Sequence, residues 1–143
     1  MTWLAHPPIV VPFDFSPASK EAVGRAIGLL GDPSGVHVIH VLGELSPAEP
    51  GEVWNTVDHA TRTKHATEAM TKELGNEVTL KVLFGDAGHQ ITDYADQIDA
   101  KLIIMPSHGR SGILRVLLGS VTDRVVRLAH CPVLVLRPEK AKS

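Results

Sequence analysis

The chain has 143 residues, 43% of them hydrophobic and 21% charged, with a formal net charge of −2. That size and balance suit one ordinary soluble domain over 1–143, its core running from about residue 7 to residue 138. They exclude a general nucleic-acid binder, which carries a basic face, and aromatics are scarce at 4%, so the core must be Val, Leu, Ile and Ala.

The opening stretch, MTWLAHPPIVVPFDF, lacks a basic lead and is broken by Pro7, Pro8 and Pro12, so neither a signal peptide nor a membrane anchor is expected. No apolar run approaches the roughly 20 residues that span a bilayer. The single cysteine, Cys131, rules out an internal disulfide and a Cys-based zinc site and fits a reducing compartment. A cytoplasmic protein is expected.

The first apolar run, Ile9 to Phe13, is rich in β-branched residues and too short for a helix. Ser16 to Leu30 then carries Ala18, Ala22, Ala26, Leu29 and Leu30 at helical spacing. Ser16 suits its N-cap and Pro17 its first position, while Gly31-Asp32-Pro33 stops it. A second strand is expected over Val36–Leu42, followed by GELSPAEPGE, a long connection that reads equally as a flap beside a ligand or a plain variable loop. A polar helix from about Val53 to Leu74 leads to a third strand, Val78–Phe84. Ile91, Tyr94, Ala95 and Ile98 mark an amphipathic helix before a fourth strand, Leu102–Met105. Val121, Val125, Leu128 and Ala129 repeat the helical pattern before a fifth strand, Val133–Leu136.

Strict β-α alternation with continuously apolar strands predicts an open parallel five-stranded sheet, order 3-2-1-4-5, with helices on both faces. In such a Rossmann-like sheet, ligands bind outside the carboxyl ends of the strands where the order reverses, here between the first and fourth. Those ends are Val11-Pro12-Phe13-Asp14-Phe15-Ser16 and Met105-Pro106-Ser107-His108-Gly109. Gly109 allows a sharp bend with exposed amides. Gly119-Ser120 precedes the last helix, and Ser120-Val121-Thr122-Asp123 reads as a capping box. Free amides at a helix start, the Ser120 hydroxyl and the Arg110 guanidinium suit a phosphate. The same residues suit a turn and a capped helix with no ligand. Asp14 suits an adenine amino group or a ribose hydroxyl, and equally the nearby backbone amides.

Other constellations are weaker. Gly109-Arg110-Ser111-Gly112-Ile113 fails the G-x-S-x-G elbow, so Ser111 is read as a loop hydroxyl. Of eight histidines, His37 and His40 face opposite sides of a strand, and His59 and His65 diverge around a helix. No dedicated metal site is expected. Asp93, Asp96 and Asp99 fall on the solvent side of their helix, and Cys131 reads as a packing residue.

Taken together these stretches resemble the universal stress protein family along almost the whole chain. The family's nucleotide signature is G-2x-G-9x-G-[ST]; Gly109, nine residues, and Gly119-Ser120 match its last three elements. Leu102-Ile103-Ile104-Met105, His130-Cys131-Pro132-Val133-Leu134-Val135-Leu136 and Val11-Pro12-Phe13-Asp14-Phe15-Ser16 match its flanks and first strand. The resemblance implies ATP or ADP, with any Mg²⁺ carried by the nucleotide. Asp14 and the backbone near Val41 would face adenine, with Pro12, Met105 and His108 lining the pocket and Ser16 in the same set. Gly109, Arg110, Gly119, Ser120 and Val121 would hold ribose and phosphates. Pro106 stands where the signature has its first glycine, so any contact needing that amide is lost. The family commonly dimerises through its last strand. Val133-Leu134-Val135-Leu136, an uncharged apolar edge, independently suits pairing with a second copy. The readings are thus a nucleotide-binding homodimeric regulator in stress response, a nucleotide-independent interaction module of the same fold, and a slow ATPase. The last lacks a clear general base or metal-binding acid pair beyond Asp14.

Overall fold

A computed structural model of the chain describes residues 2–44, 58–108 and 118–138. Five parallel strands, β1 (Ile9–Pro12), β2 (Val36–Leu42), β3 (Thr79–Phe84), β4 (Leu102–Pro106) and β5 (Val133–Leu136), form one sheet. Its order is β3-β2-β1-β4-β5, the order that the alternation predicts. The helices are α1 (Pro17–Leu30), α2 (Asp58–Leu74), α3 (Ala87–Gln97) and α4 (Ser120–Leu128). The stretch from Val53 expected to open the second helix, and most of GELSPAEPGE, lie outside the described residues.

The period-2 geometry of the strands divides the core in two. Ile9, Val11, Val36, Val38, Leu102 and Ile104 face one side, against Ala22, Val23 and Ala26 of α1 and Met70 of α2. Val10, Ile39, Ile103 and Met105 face the other, against Ile91 and Ala95 of α3 and Val125 of α4. Both faces of the central strands are covered, which is why β1 and β4 read as unbroken apolar runs. Cys131 packs at the margin of the second cluster, as a packing residue should.

α1 begins where Ser16–Pro17 predicts. Ser16 is the N-cap and its hydroxyl accepts from the Ser19 amide at 3.1 Å. The helix ends on Gly31, whose φ of 74° closes it by bonding back to the Ile27 carbonyl. The inner face of α4 differs from the expected stripe. Thr122 and Val125 are buried, whereas Val121 is 39% exposed. β5 pairs only with β4, so it is the edge of the described sheet, and Leu134 there is 40% exposed.

Candidate functional site

The order reversal lies between β1 and β4, whose register pairs Ile9 with Leu102 and Val10 with Ile103. Their carboxyl ends therefore lie side by side, at the place where sheets of this kind bind ligands, with the end of β2, and so Val41, alongside β1.

On the β1 side, Pro12 and Asp14 are half-buried. Asp14 Oδ1 accepts from the Ser16 amide at 3.0 Å, and the Asp14 amide donates to Ser19 Oγ at 3.3 Å. Ser16 Oγ donates to Ser19 Oγ at 3.2 Å, and Ser19 Oγ donates to the Ser16 carbonyl at 3.0 Å. The Ser16 hydroxyl is thus spent inside the cap. Phe15, between Asp14 and Ser16, has a φ of 66°, a left-handed conformation that a bulky residue adopts only where its surroundings impose it. Its ring meets Phe13 and His40 edge-on, with centroids 4.9 and 5.0 Å away. His40 Nδ1 lies 2.8 Å from the Phe13 carbonyl. A carbonyl only accepts, so Nδ1 carries the proton.

On the β4 side, Met105 and Ser107 are buried. The Ser107 amide donates to the Leu136 carbonyl, and the Gly119 amide donates to the Ser107 carbonyl at 2.7 Å. Thr122 Oγ1 donates to the Pro106 carbonyl at 2.9 Å. These bonds lay the start of α4 against the end of β4. His108 Nδ1 lies 3.3 Å from Ser107 Oγ. Its Nε2 is buried and, among the described residues, is the one buried side-chain nitrogen or oxygen without a partner. Buried polar atoms are nearly always paired, so this one calls for an explanation.

The expected capping box at Ser120 is not formed. Gly119 is the N-cap of α4, and among the described residues no side chain caps the first amides. Ser120 is already the first helical residue. Asp123, which would have reached back, instead accepts from Arg127 Nε at 3.0 Å. Among the described residues, then, nothing caps the positive end of the first turn, and Ser120 and Val121 are exposed. Gly109 and Arg110, with Ser111 and Gly112, lie outside the described residues.

Pro12, Asp14 and Ser16 are thus gathered at the end of β1, Met105 and His108 at the end of β4, and Gly119, Ser120 and Val121 beside them. Val41 sits one strand away, paired with Leu83. Sequence reasoning gave no role at the site to Thr122, Ser19, Phe15 or His40. Ser19, three residues after the Ser16 cap, carried a readable signal; the Phe15 backbone carried none.

Elsewhere, His37 and His40 do face opposite sides: His37 Nδ1 bonds the Tyr94 hydroxyl of α3 at 2.8 Å. Burial pushes the His37 imidazole down and the Tyr94 hydroxyl up in pKa. Asp93, Asp96 and Asp99 are exposed, as their spacing predicts. Among the described residues, no group of three or more His, Cys, Asp or Glu is placed to hold a metal ion. No described helix is long and apolar enough to cross a membrane.

Comparison with known proteins follows the same lines. Universal stress protein MJ0531 of Methanocaldococcus jannaschii is 33% identical over 141 residues, covering 92% of this chain and 82% of the relative. The solved structure of MJ0577, from the same organism, superposes with a TM-score of 0.75 at 28% identity, covering 96% of this chain and 99% of that one. The universal stress protein of Archaeoglobus fulgidus, solved in complex with dAMP, superposes with a TM-score of 0.58 at 25% identity, covering 93% and 99%. The family model described as "Universal stress protein family" matches residues 6–137. With its sheet order and the ends of β1 and β4 arranged as above, the chain belongs to the universal stress protein family.

Proposed function

We propose that the chain is a regulatory protein of the stress response that binds an adenine nucleotide, ATP or ADP, in the crevice between β1 and β4. The observation that carries this reading is the buried, unpartnered Nε2 of His108. It lies one residue from the carbonyl that anchors the side-chain-uncapped start of α4. An anion held there would meet both the free amides and the positive end of the helix. Asp14 at the end of β1, with the backbone near Val41, suits the base and Met105 and Pro12 its faces. Ser16 supports that end through its cap. Gly109, Arg110, Gly119, Ser120 and Val121 suit the ribose and phosphates, with any Mg²⁺ arriving on the nucleotide. The dAMP held by the Archaeoglobus relative supports the adenine class.

The reading extends to one domain that acts in the cytoplasm as a homodimer paired through β5. A second reading, an interaction module that works without nucleotide, is favoured by Pro106. It offers no amide, and its carbonyl is already taken by Thr122.

The test is direct. The purified protein is denatured and its supernatant analysed for adenine nucleotide, and the nucleotide-free protein is titrated with ATP and Mg²⁺ by calorimetry. Co-purified nucleotide or saturable heat is expected, weakened in Ser120→Ala and Gly109→Ala. No nucleotide and no heat at millimolar ATP would overturn the reading in favour of the interaction module.

A further inference from the structure

We infer that Thr122 is the positioning residue for the phosphate-facing start of α4; the inference rests on the nucleotide reading above. The chain leaves β4 at Pro106 and comes back to it at Gly119. Two hydrogen bonds fix that return: the Gly119 amide on the Ser107 carbonyl at 2.7 Å, and Thr122 Oγ1 on the Pro106 carbonyl at 2.9 Å.

The Thr122 side chain is 2% exposed, and its partner is sixteen residues back, on another element. A threonine deeper in a helix turns its hydroxyl onto the carbonyl one turn earlier, as Thr92 does with Gly88 and Thr71 with Thr67. Thr122 sits in the first turn, where the residue four back, Leu118, lies outside the helix, and its hydroxyl reaches across to Pro106 instead. The first helical bond, Asp123 amide to Gly119 carbonyl at 2.8 Å, begins in the same turn. The direction of the Ser120 and Val121 amides is therefore set by where Thr122 is held.

The rest of α4 is anchored separately, through buried Val125 and through Arg124 on Asp86. Removing the Thr122 hydroxyl thus leaves the helix docked while loosening its first turn. Hydrogen bonds weaken steeply as donors turn off axis, and bonds to an anion are roughly twice as strong as neutral ones, so the loss falls mainly on ligand phosphates and little on the neutral ribose or the base. Pro106 fits the same account, since it contributes its carbonyl to this bond.

The experiment titrates ATP and adenosine into wild type, Thr122→Val and Thr122→Ser, with the melting temperature of each nucleotide-free protein as a fold check. Thr122→Val, which keeps the shape and drops the hydroxyl, is expected to lose about tenfold in ATP affinity. Thr122→Ser is expected to stay within about twofold of wild type, with adenosine affinity alike in all three. If Thr122→Val does not fold, Thr122→Ala takes its place. Unchanged ATP affinity in the hydroxyl-free variant, equal losses for ATP and adenosine, or a Ser variant as weak as Val would each overturn the inference alone. A wild type that binds neither ligand would instead overturn the nucleotide reading, and the inference with it.

Discussion

Gly88 of α3 lies directly beneath the side chain of Arg124 on α4. A Cβ added at Gly88 would meet Arg124 Cδ and Cγ at 2.6 Å and its Cβ at 2.9 Å. The Arg124 stem crosses that bare backbone, and its Nη1 donates to Asp86 Oδ1 at 2.9 Å. The two helices approach closely because one residue has no side chain. Gly88→Ala therefore works against its own helix propensity. Alanine gains about 1 kcal/mol in a helix, but overpacking of this kind costs about 1–3 kcal/mol. We expect a net loss of stability, read as a fall in Tm of roughly 2–4 °C for each kcal/mol. A thermal melt showing Gly88→Ala more stable than wild type would refute the tight crossing.

Asp86 joins three partners. Its carboxylate caps α3 by accepting from the His89 amide at 3.1 Å, and it also takes the His89 ring at 2.7 Å and Arg124. The His89 side chain first, then the His89 amide, hold its pKa at about 2 instead of 3.8. A depressed carboxyl stabilises the fold above its unfolded value, and that contribution is lost as pH falls through 3.8 towards 2. Asp86→Ala is expected to lower Tm at neutral pH more than Asp86→Asn, which can still cap. Both should flatten the acid limb of a Tm-against-pH curve. An unaltered acid limb in both variants would count against this linkage.

Ser16 is buried and its hydroxyl serves only the cap of α1 and Ser19. Ser16→Ala should cost about 1–2 kcal/mol, the upper range for an N-cap, because the Ser19 amide is left without that acceptor in a buried place. Chemical denaturation should show a lower midpoint with an unchanged slope.

The burial of His37 beside Tyr94 makes stability fall on mild acidification. Burial holds His37 below its ordinary 6.5, so the unfolded chain takes up the proton first. The contribution is complete above that value and is lost as pH drops below it. His37→Gln, which can still meet the Tyr94 hydroxyl and does not titrate, should shrink the Tm difference between about pH 7.5 and about pH 5.5. An identical difference in both proteins would assign the acid sensitivity elsewhere.

The ladder of β5 tells which of its amides a second copy could use. The Ile103 amide bonds the Pro132 carbonyl and the Ser107 amide bonds the Leu136 carbonyl. By alternation, Leu134 also faces β4, while Val133 and Val135 turn their backbone groups to the open side. Val135→Pro removes one outward amide and spares the bonds to β4, a substitution that edge strands tolerate. If the proposed homodimer pairs here, sedimentation at tens of micromolar should give a dimer for wild type and a monomer for Val135→Pro. Two dimers would place the interface elsewhere.

Most of the fold was legible because burial on both faces writes itself into the strands as runs such as Leu102-Ile103-Ile104-Met105, and because Ser16-Pro17 and Gly31 punctuate a helix unambiguously. The start of α4 was misread for a physical reason. Ser-x-x-Asp looks the same whether the serine caps the helix or is its first residue. The choice is made by the bond of Thr122 to Pro106, sixteen residues back on another element, and by that of Asp123 to Arg127, one helical turn on. Asp86 carried a readable signal, since an aspartate after Gly85 and before a periodic apolar stretch is an N-cap pattern. The left-handed Phe15 carried none, because its conformation comes from packing against Phe13 and His40.

The pairing of Ile9 with Val36 on one side and with Leu102 on the other also divides the assembly of the protein. β1, β2 and β3 follow one another along the chain and can zip together from near neighbours, whereas β4 must arrive from a great sequence distance to close on β1. The boundary between β1 and β4 is thus a seam, the one strand pairing in the sheet closed over about ninety residues of chain. The crevice opens on that seam. A molecule gripped from both banks would act as a rivet across the joint, slowing the separation of the two strands; occupancy would then register as resistance to unfolding and proteolysis before any change of shape.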